Sequence, residues 1–118
     1  KVVIGAAFYA RTWENVENAS NGLYQAGKFK SSVPYRVFGE RLSTEQGYTF
    51  HLDTISKATH AYNPATKTFA TFDDPGSVAE KTRYAKRRGL KGIMFWELTL
   101  DRPTDGLLDV IDRTKKEK

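Results

Sequence analysis

Residues 92–98 read Gly-Ile-Met-Phe-Trp-Glu-Leu, and residues 2–10 read Val-Val-Ile-Gly-Ala-Ala-Phe-Tyr-Ala. Both are dense apolar runs without polar alternation. A strand covered on both faces has this composition, because neither face meets water; a buried helical segment looks similar by periodicity alone. The β-branched start Val2-Val3-Ile4 and the glycine at 5 turn the first run towards strand. Ahead of the second run stands a helix signal. Asp74 can accept hydrogen bonds from free first-turn amides, and Pro75 suits the first helical position. Ser77-x-x-Glu80 reads as a capping box. The last turn, Lys86-Arg87-Arg88, puts cations where the helix dipole favours them, and Gly89 suits a left-handed close. A helix over 75–88 feeding a strand over 92–98 is the half-step of an α/β protein.

Between the two runs the pattern changes. Residues 11–33 carry turn and loop chemistry, with the Asn21-Gly22 dipeptide as its clearest signal. Residues 34–42 are expected to form a short helix with Ser32 as its cap. Tyr48, Phe50 and Leu52 then alternate with Thr49, His51 and Asp53, the period of a half-buried strand. Residues 57–62 alternate less cleanly, Asn63-Pro64 turns the chain, and 68–72 is again strand-like. Residues 48–72 are therefore expected to be a three-stranded antiparallel meander. A final helix over about 104–114 sets Leu107, Leu108 and Ile111 on one stripe. Two buried-type strands thus bracket an α+β insertion.

Composition bounds the function. The chain has 118 residues, with 19 basic and 14 acidic side chains and a formal charge of +5. At roughly 100–200 residues per domain, that is one domain at most. Aromatic residues make up 13%, too many for a disordered chain. There is no cysteine, so neither a disulfide scaffold nor a cysteine-ligated zinc site is available. No apolar run approaches the roughly 20 residues that span a bilayer. Residue 1 is Lys and strand character begins at Val2, so the chain is expected to be a piece of a larger protein.

Four segments, in order, are similar to one family. They are Gly5-Ala6-Ala7-Phe8-Tyr9-Ala10-Arg11, Asn21-Gly22-Leu23-Tyr24, Phe72-Asp73-Asp74-Pro75 with Ser77 and Lys81, and Gly89 through Leu98. The sequence resembles the C-terminal third of family 18 glycoside hydrolases, the chitinases. Each motif is weak singly; their order and spacing carry the likeness. It implies an α+β fold, a chitinase insertion module flanked by strands 7 and 8 of a partial (β/α)8 barrel. Residues 1–11 and 92–118 would be barrel segments, and 12–91 the insertion module with the following barrel helix. The family usually has proline where Ala7 stands and glycine where Ala10 stands.

The resemblance implies a longer parent hydrolysing β-1,4-linked N-acetylglucosamine polymers with retention, by substrate-assisted chemistry, without metal or cofactor. The family's acid motif, D-x-x-D-x-D-x-E, is absent from these residues. The pair Asp109–Asp112 continues to Thr114 and Lys116, so it lacks the third Asp and the Glu. No catalytic residue is therefore assigned here, and the 118 residues alone are expected to be inactive, forming the cleft wall and the floor under the sugar at the cleavage point. Trp96 is implied as that floor, because the C–H face of a pyranose packs on a flat ring; a core tryptophan is the plainer alternative. Tyr9 and Arg11 are implied to contact the sugar or support the cleft, with a buried tyrosine and a structural ion pair as the counter-reading. Asp53 matches a carboxylate common in the family's insertion module. The implied partner is chitin or an N-acetylglucosamine oligosaccharide, and the implied location of the parent is secreted or at the cell surface.

Other groups take plainer readings. Asp74 caps a helix and Asp73 is hydrogen-bonded in the turn, rather than the two forming a catalytic pair. Glu97 is expected in a structural ion pair. Tyr24, Phe50, Tyr62 and Phe72 have the cleft wall as one reading, and most of them are expected to pack the module's core instead. His51 and His60 lack a third metal ligand. Arg83, Lys86, Arg87, Arg88 and Lys91 read as a solvated face rather than a nucleic-acid surface. The uncovered strand faces are expected to drive self-association. Two classes of alternative stay open for the parent. One is a non-catalytic chitin-binding lectin. The other is a family hydrolase with a different substrate: a peptidoglycan or spore-cortex hydrolase, or an endo-β-N-acetylglucosaminidase.

Overall fold

A computed structural model describes residues 1–118. Strands β1 (Val3–Ala7) and β7 (Gly92–Trp96) pair in parallel, in a register running from Val3 opposite Gly92 to Ala7 opposite Trp96. A parallel pair needs a long crossover, and everything between the two strands supplies it. Alternation then decides the faces. Ala6, Ile93 and Phe95 pack into the core, whereas Val3, Met94 and Trp96 are exposed. The expectation of two fully buried strands is met on one face only, because no element of these residues lies over the other.

The first apolar run does not continue as one strand. It breaks at Phe8, whose N–H donates to the Trp96 carbonyl at 2.9 Å while its own carbonyl accepts from Tyr35 N–H at 3.0 Å. Beyond Phe8 the chain enters a second sheet, five-stranded and antiparallel, ordered β3-β2-β6-β5-β4. Its members are β2 (Tyr9–Glu14), β3 (Lys28–Pro34), β4 (Thr49–Leu52), β5 (Thr59–Asn63) and β6 (Thr68–Phe72). The meander over 48–72 forms as its pattern requires. Strand β3 and most of β2 lie inside the stretch read as turn and loop. Lys28-Phe29-Lys30-Ser31-Ser32 has little strand propensity, and it holds its place by pairing with β2 along one edge. Ser32 sits in that strand opposite Arg11 and caps nothing. The helix expected over 34–42 shrinks to a 3-10 turn at Tyr35–Val37 and one turn of α1 (Phe38–Arg41).

Helix α2 (Pro75–Arg87) starts as the sequence indicates, with a different box. Asp74 Oδ1 accepts from Ser77 N–H at 2.8 Å, and Ser77 Oγ accepts from Asp74 N–H at 2.9 Å. Glu80, the expected partner of Ser77, instead binds Arg87 at 2.7 Å. Gly89 closes the helix with φ +59°. Helix α3 (Leu107–Lys115) is capped from a distance: the Asp101 carboxylate accepts from Leu107 N–H at 2.8 Å and Leu108 N–H at 2.9 Å.

The core joins the inner face of β1–β7, one face of the large sheet and helix α3. Ala10, Ala61, Ala70 and Phe72 from the sheet meet Tyr35, Phe38, Leu42, Val78 and Leu107. Phe38 packs edge-on against both Tyr35 and Phe72, at 5.1 and 5.4 Å between centroids. No helix is long and apolar enough to cross a membrane.

Candidate functional site

Trp96 ends β7 opposite Ala7 and is 65% exposed. The reading of Trp96 as a core side chain therefore fails. The core position in this strand belongs to its neighbour Phe95, which stacks on Phe8 at 4.7 Å with the rings 7° from parallel. Gly5 and Ala7 stand beside Met94 and Trp96 in register, so the indole rises next to residues too small to cover it. A flat, open aromatic on an apolar shelf is a surface on which the C–H face of a ring can rest. Beyond the strand, Glu97 forms no ion pair. Its carboxylate accepts instead from the Thr99 hydroxyl.

Tyr9 and Arg11 begin β2 and point to one face of the large sheet. The Arg11 guanidinium lies 5.8 Å from the Tyr9 ring centroid and makes no ion pair. Both line an open groove of about 660 Å³, together with Lys57, Asp73, Lys81 and Tyr84. Asp73 organises this groove. It is 7% exposed, and its Oδ2 accepts from Ala7 N–H at 2.8 Å and from Lys81 Nζ at 2.6 Å. Its Oδ1 accepts from Ser77 Oγ at 2.8 Å. Lys81 also donates to the Gly5 carbonyl at 3.0 Å. The turn role read for Asp73 thus extends into a clamp between the end of β1 and the start of α2.

Asp53 stands apart from the groove lining. Its Oδ1 accepts from Ile55 N–H at 2.8 Å and Ser56 N–H at 3.2 Å, and these amides hold its carboxyl below the usual range. It shapes the loop that presents Ile55, Ser56, Lys57 and Ala58 to the groove. The four expected site residues thus divide. Tyr9 and Arg11 come together, Asp53 shapes a loop at the groove's edge, and Trp96 occupies the β1–β7 face without lining the groove.

His51 and His60 lie directly opposite on β4 and β5, with ring centroids 5.2 Å apart. Burial, and secondarily the neighbouring His51, push the His60 pKa down against the pull of Asp53. No third His, Cys, Asp or Glu completes a metal-holding group. The basic cluster is largely engaged within the chain. Arg83 forms a two-pronged pair with Glu117 at 2.9 and 3.0 Å, Lys86 donates to the Glu117 carbonyl, and Arg88 lies over the Tyr84 ring.

Of the four aromatics, most of them expected in the core, two are there: Tyr62 and Phe72 are buried, but Phe50 is exposed and Tyr24 is 91% exposed. Sequence reasoning also misses a chain of rings across the outer face of the large sheet. Phe29 packs near Trp13 at 6.3 Å, Trp13 near Phe69 at 6.1 Å, and Phe69 near His60 at 5.6 Å. Only the pairing of β2 with β3 and β6, and of β5 with β6, brings these rings together, and no local pattern in Arg11-Thr12-Trp13 signals it.

A model of the glycosyl hydrolases family 18 matches residues 1–101. Chitinase A1 of Niallia circulans is 35% identical over 134 aligned residues, covering 97% of this chain and 19% of that protein. The cell-surface-expressed chitinase ChiW of Paenibacillus sp. str. FPU-7 superposes with a TM-score of 0.89 at 37% identity, over 99% of this chain and 11% of that one. A mutant class V chitinase from Nicotiana tobaccum, solved in complex with NAG4, gives a TM-score of 0.82 at 25% identity, over 99% of this chain and 35% of that one. The chain spans well under half the length of each of these proteins. The small α+β fold, with its antiparallel sheet and helices, matches the insertion modules of those structures. Family match, sequence identity and superposition agree, and the chain belongs to family 18 of the glycosyl hydrolases.

Proposed function

We propose that residues 1–118 form the floor and one wall of the substrate cleft in a longer chitinase-type hydrolase. Its substrate would be a β-1,4-linked N-acetylglucosamine polymer, cleaved with retention by attack of the sugar's own acetamido oxygen. The observation that carries this reading is Trp96, an indole 65% exposed at the carboxyl end of a parallel strand. In barrel enzymes the active site gathers at that end of the strands. On this reading β1 and β7 are the seventh and eighth barrel strands, and residues 12–91 hold the insertion module with the helix that follows it.

In the mechanism these residues position and do not transfer protons. Trp96 would floor the sugar at the cleavage point. Arg11 and Tyr9 would contact it from the wall, with Asp53 shaping the adjoining loop. The acid that protonates the leaving oxygen would come from elsewhere in the longer protein, since no D-x-x-D-x-D-x-E run occurs here. On the same reading the longer protein acts outside the cell, and the isolated 118 residues self-associate through the open β1–β7 face. The test is a Trp96→Ala variant of the longer protein assayed on a chromogenic chitobioside. Loss of most turnover with an unchanged circular dichroism spectrum is expected; unchanged turnover overturns the assignment. A wild-type longer protein that binds chitin and cleaves nothing would make it a lectin.

A further inference from the structure

Away from Trp96 and the Tyr9–Arg11 groove, the loop after β2 folds back over the outer face of the large sheet. Ser20, Asn21, Gly22 and Tyr24 there all have positive φ, at 49°, 54°, 79° and 62°. For a bulky tyrosine that conformation is an outlier, and such outliers gather at functional sites. The loop is pinned closely at two points. A Cβ on Gly22 would lie 2.7 Å from the Tyr62 ring, and one on Gly27 would lie 2.6 Å from Val16 Cγ2, so only glycine fits at either. Tyr62 in turn donates its hydroxyl to the Val16 carbonyl at 2.7 Å. The strained loop thus holds Tyr24 out in solvent from a rigid base.

At this base lies a cavity of about 210 Å³, lined by Trp13, Phe69, Tyr24, Val16 and Gln25 besides the two glycines. Three of these are aromatic. The Gln25 side chain donates to the Leu23 carbonyl at 3.0 Å, which fixes the amide and leaves its oxygen without a partner in the chain. No lining residue is charged, although the chain carries +5. That balance suits a neutral ligand with a C–H face for the rings and a polar substituent for the amide. The volume falls below the roughly 300–1,000 Å³ of drug-sized pockets, which fits one sugar ring.

The geometry points to an accessory carbohydrate site at Tyr24, Trp13 and Phe69, binding one N-acetylhexosamine ring of a neutral β-linked polymer. It rests on the carbohydrate reading above and adds a contact outside the floor and groove. Its role is to hold a strand of polymer against the wall while Trp96 engages another unit. The chain has two tryptophans, so Trp96→Phe leaves Trp13 as the sole reporter.

Titrating the Trp96→Phe chain with the tetramer of N-acetylglucosamine should change Trp13 emission saturably. The added substitution Tyr24→Asn, which removes the ring but suits a left-handed backbone, should weaken binding about tenfold, the scale of one lost aromatic contact. Circular dichroism of both variants should match the parent chain. A silent Trp13, or an equal response with Tyr24→Asn, overturns the site. The reciprocal Trp13→Phe chain separates the two claims: a Trp96 response with a silent Trp13 overturns the accessory site and keeps the floor, while silence at both overturns both. An equal response to cellotetraose overturns the N-acetylhexosamine assignment.

Discussion

The Asp73 carboxylate takes three hydrogen bonds from two elements: one from Ala7 at the end of β1, and two from α2, from Lys81 in its middle and Ser77 in its first turn. Replacing Asp73 by Ala removes both acceptor oxygens and leaves the three donors behind. Ser77 Oγ keeps a contact with the Asp74 carbonyl at 3.3 Å and loses little. The Ala7 N–H is left without its partner, at about 1–3 kcal/mol if it stays dry. Lys81 is a third exposed and still reaches the Gly5 carbonyl. Its loss is therefore discounted from the roughly 3–5 kcal/mol of a fully buried broken pair to about 1–2 kcal/mol. The sum is about 3 kcal/mol, or roughly 12 °C in Tm for a chain of this size. Asp73→Asn keeps an oxygen for Ala7 but points no charge at Lys81, and should cost about half as much. Urea denaturation followed by circular dichroism measures both. A double-mutant cycle with Lys81→Met should show a coupling of about 1 kcal/mol or more. A loss under about 0.5 kcal/mol in Asp73→Ala, or additive single effects, would refute the clamp.

His60 has its pKa pushed below the ordinary 6.5, so the unfolded chain binds the proton first as pH falls; stability should be complete above about 6.5 and decline below it, through the folded pKa. His51 and Asp53 face the same ring and shape the window, and a His60→Asn chain should show a shallower decline in pH-dependent melts; an identical slope contradicts burial as the cause. The isolated chain should form dimers or larger species through the uncovered side of β1–β7, where Val3, Met94 and Trp96 are exposed; light scattering that finds only monomer at high concentration removes that expectation.

How much is legible in the sequence depends on whether a segment's side chains or its neighbours decide its structure. Helix α2 is legible because its signals are local: Asp74 before Pro75 at the start, Gly89 at the end. The meander is legible because β4 alternates and Asn63-Pro64 marks a turn. Strand β3 is not, because two lysines and two serines become strand only when β2 offers an edge. The break at Phe8 is hidden for a related reason. Nothing in Ala7-Phe8-Tyr9 opposes extension, and the two sheets are told apart only by which partner each backbone group finds. Trp96 stands out through family likeness, and its exposure then decides against the core alternative. Tyr24 reads as core by its residue type, whereas its left-handed backbone turns it outward.

Phe8 also joins the proposed floor and wall, two surfaces on different sheets. Its N–H is fixed to the carbonyl of Trp96, and its carbonyl to the N–H of Tyr35 in the chain leaving β3. One residue before it, Ala7 N–H is held by Asp73; one residue after it, Tyr9 lines the groove. The ring itself is fully buried and stacked on Phe95, the neighbour of Trp96. The proposed floor and wall therefore share a joint, Phe8, whose backbone N–H and carbonyl are both engaged and whose ring is fully buried. Interiors packed to this density transmit displacement rather than absorb it. A substitution that loosens the Asp73 clamp should consequently disturb the angle between Trp96 and Arg11 as well as the melting temperature, although Asp73 touches neither side chain.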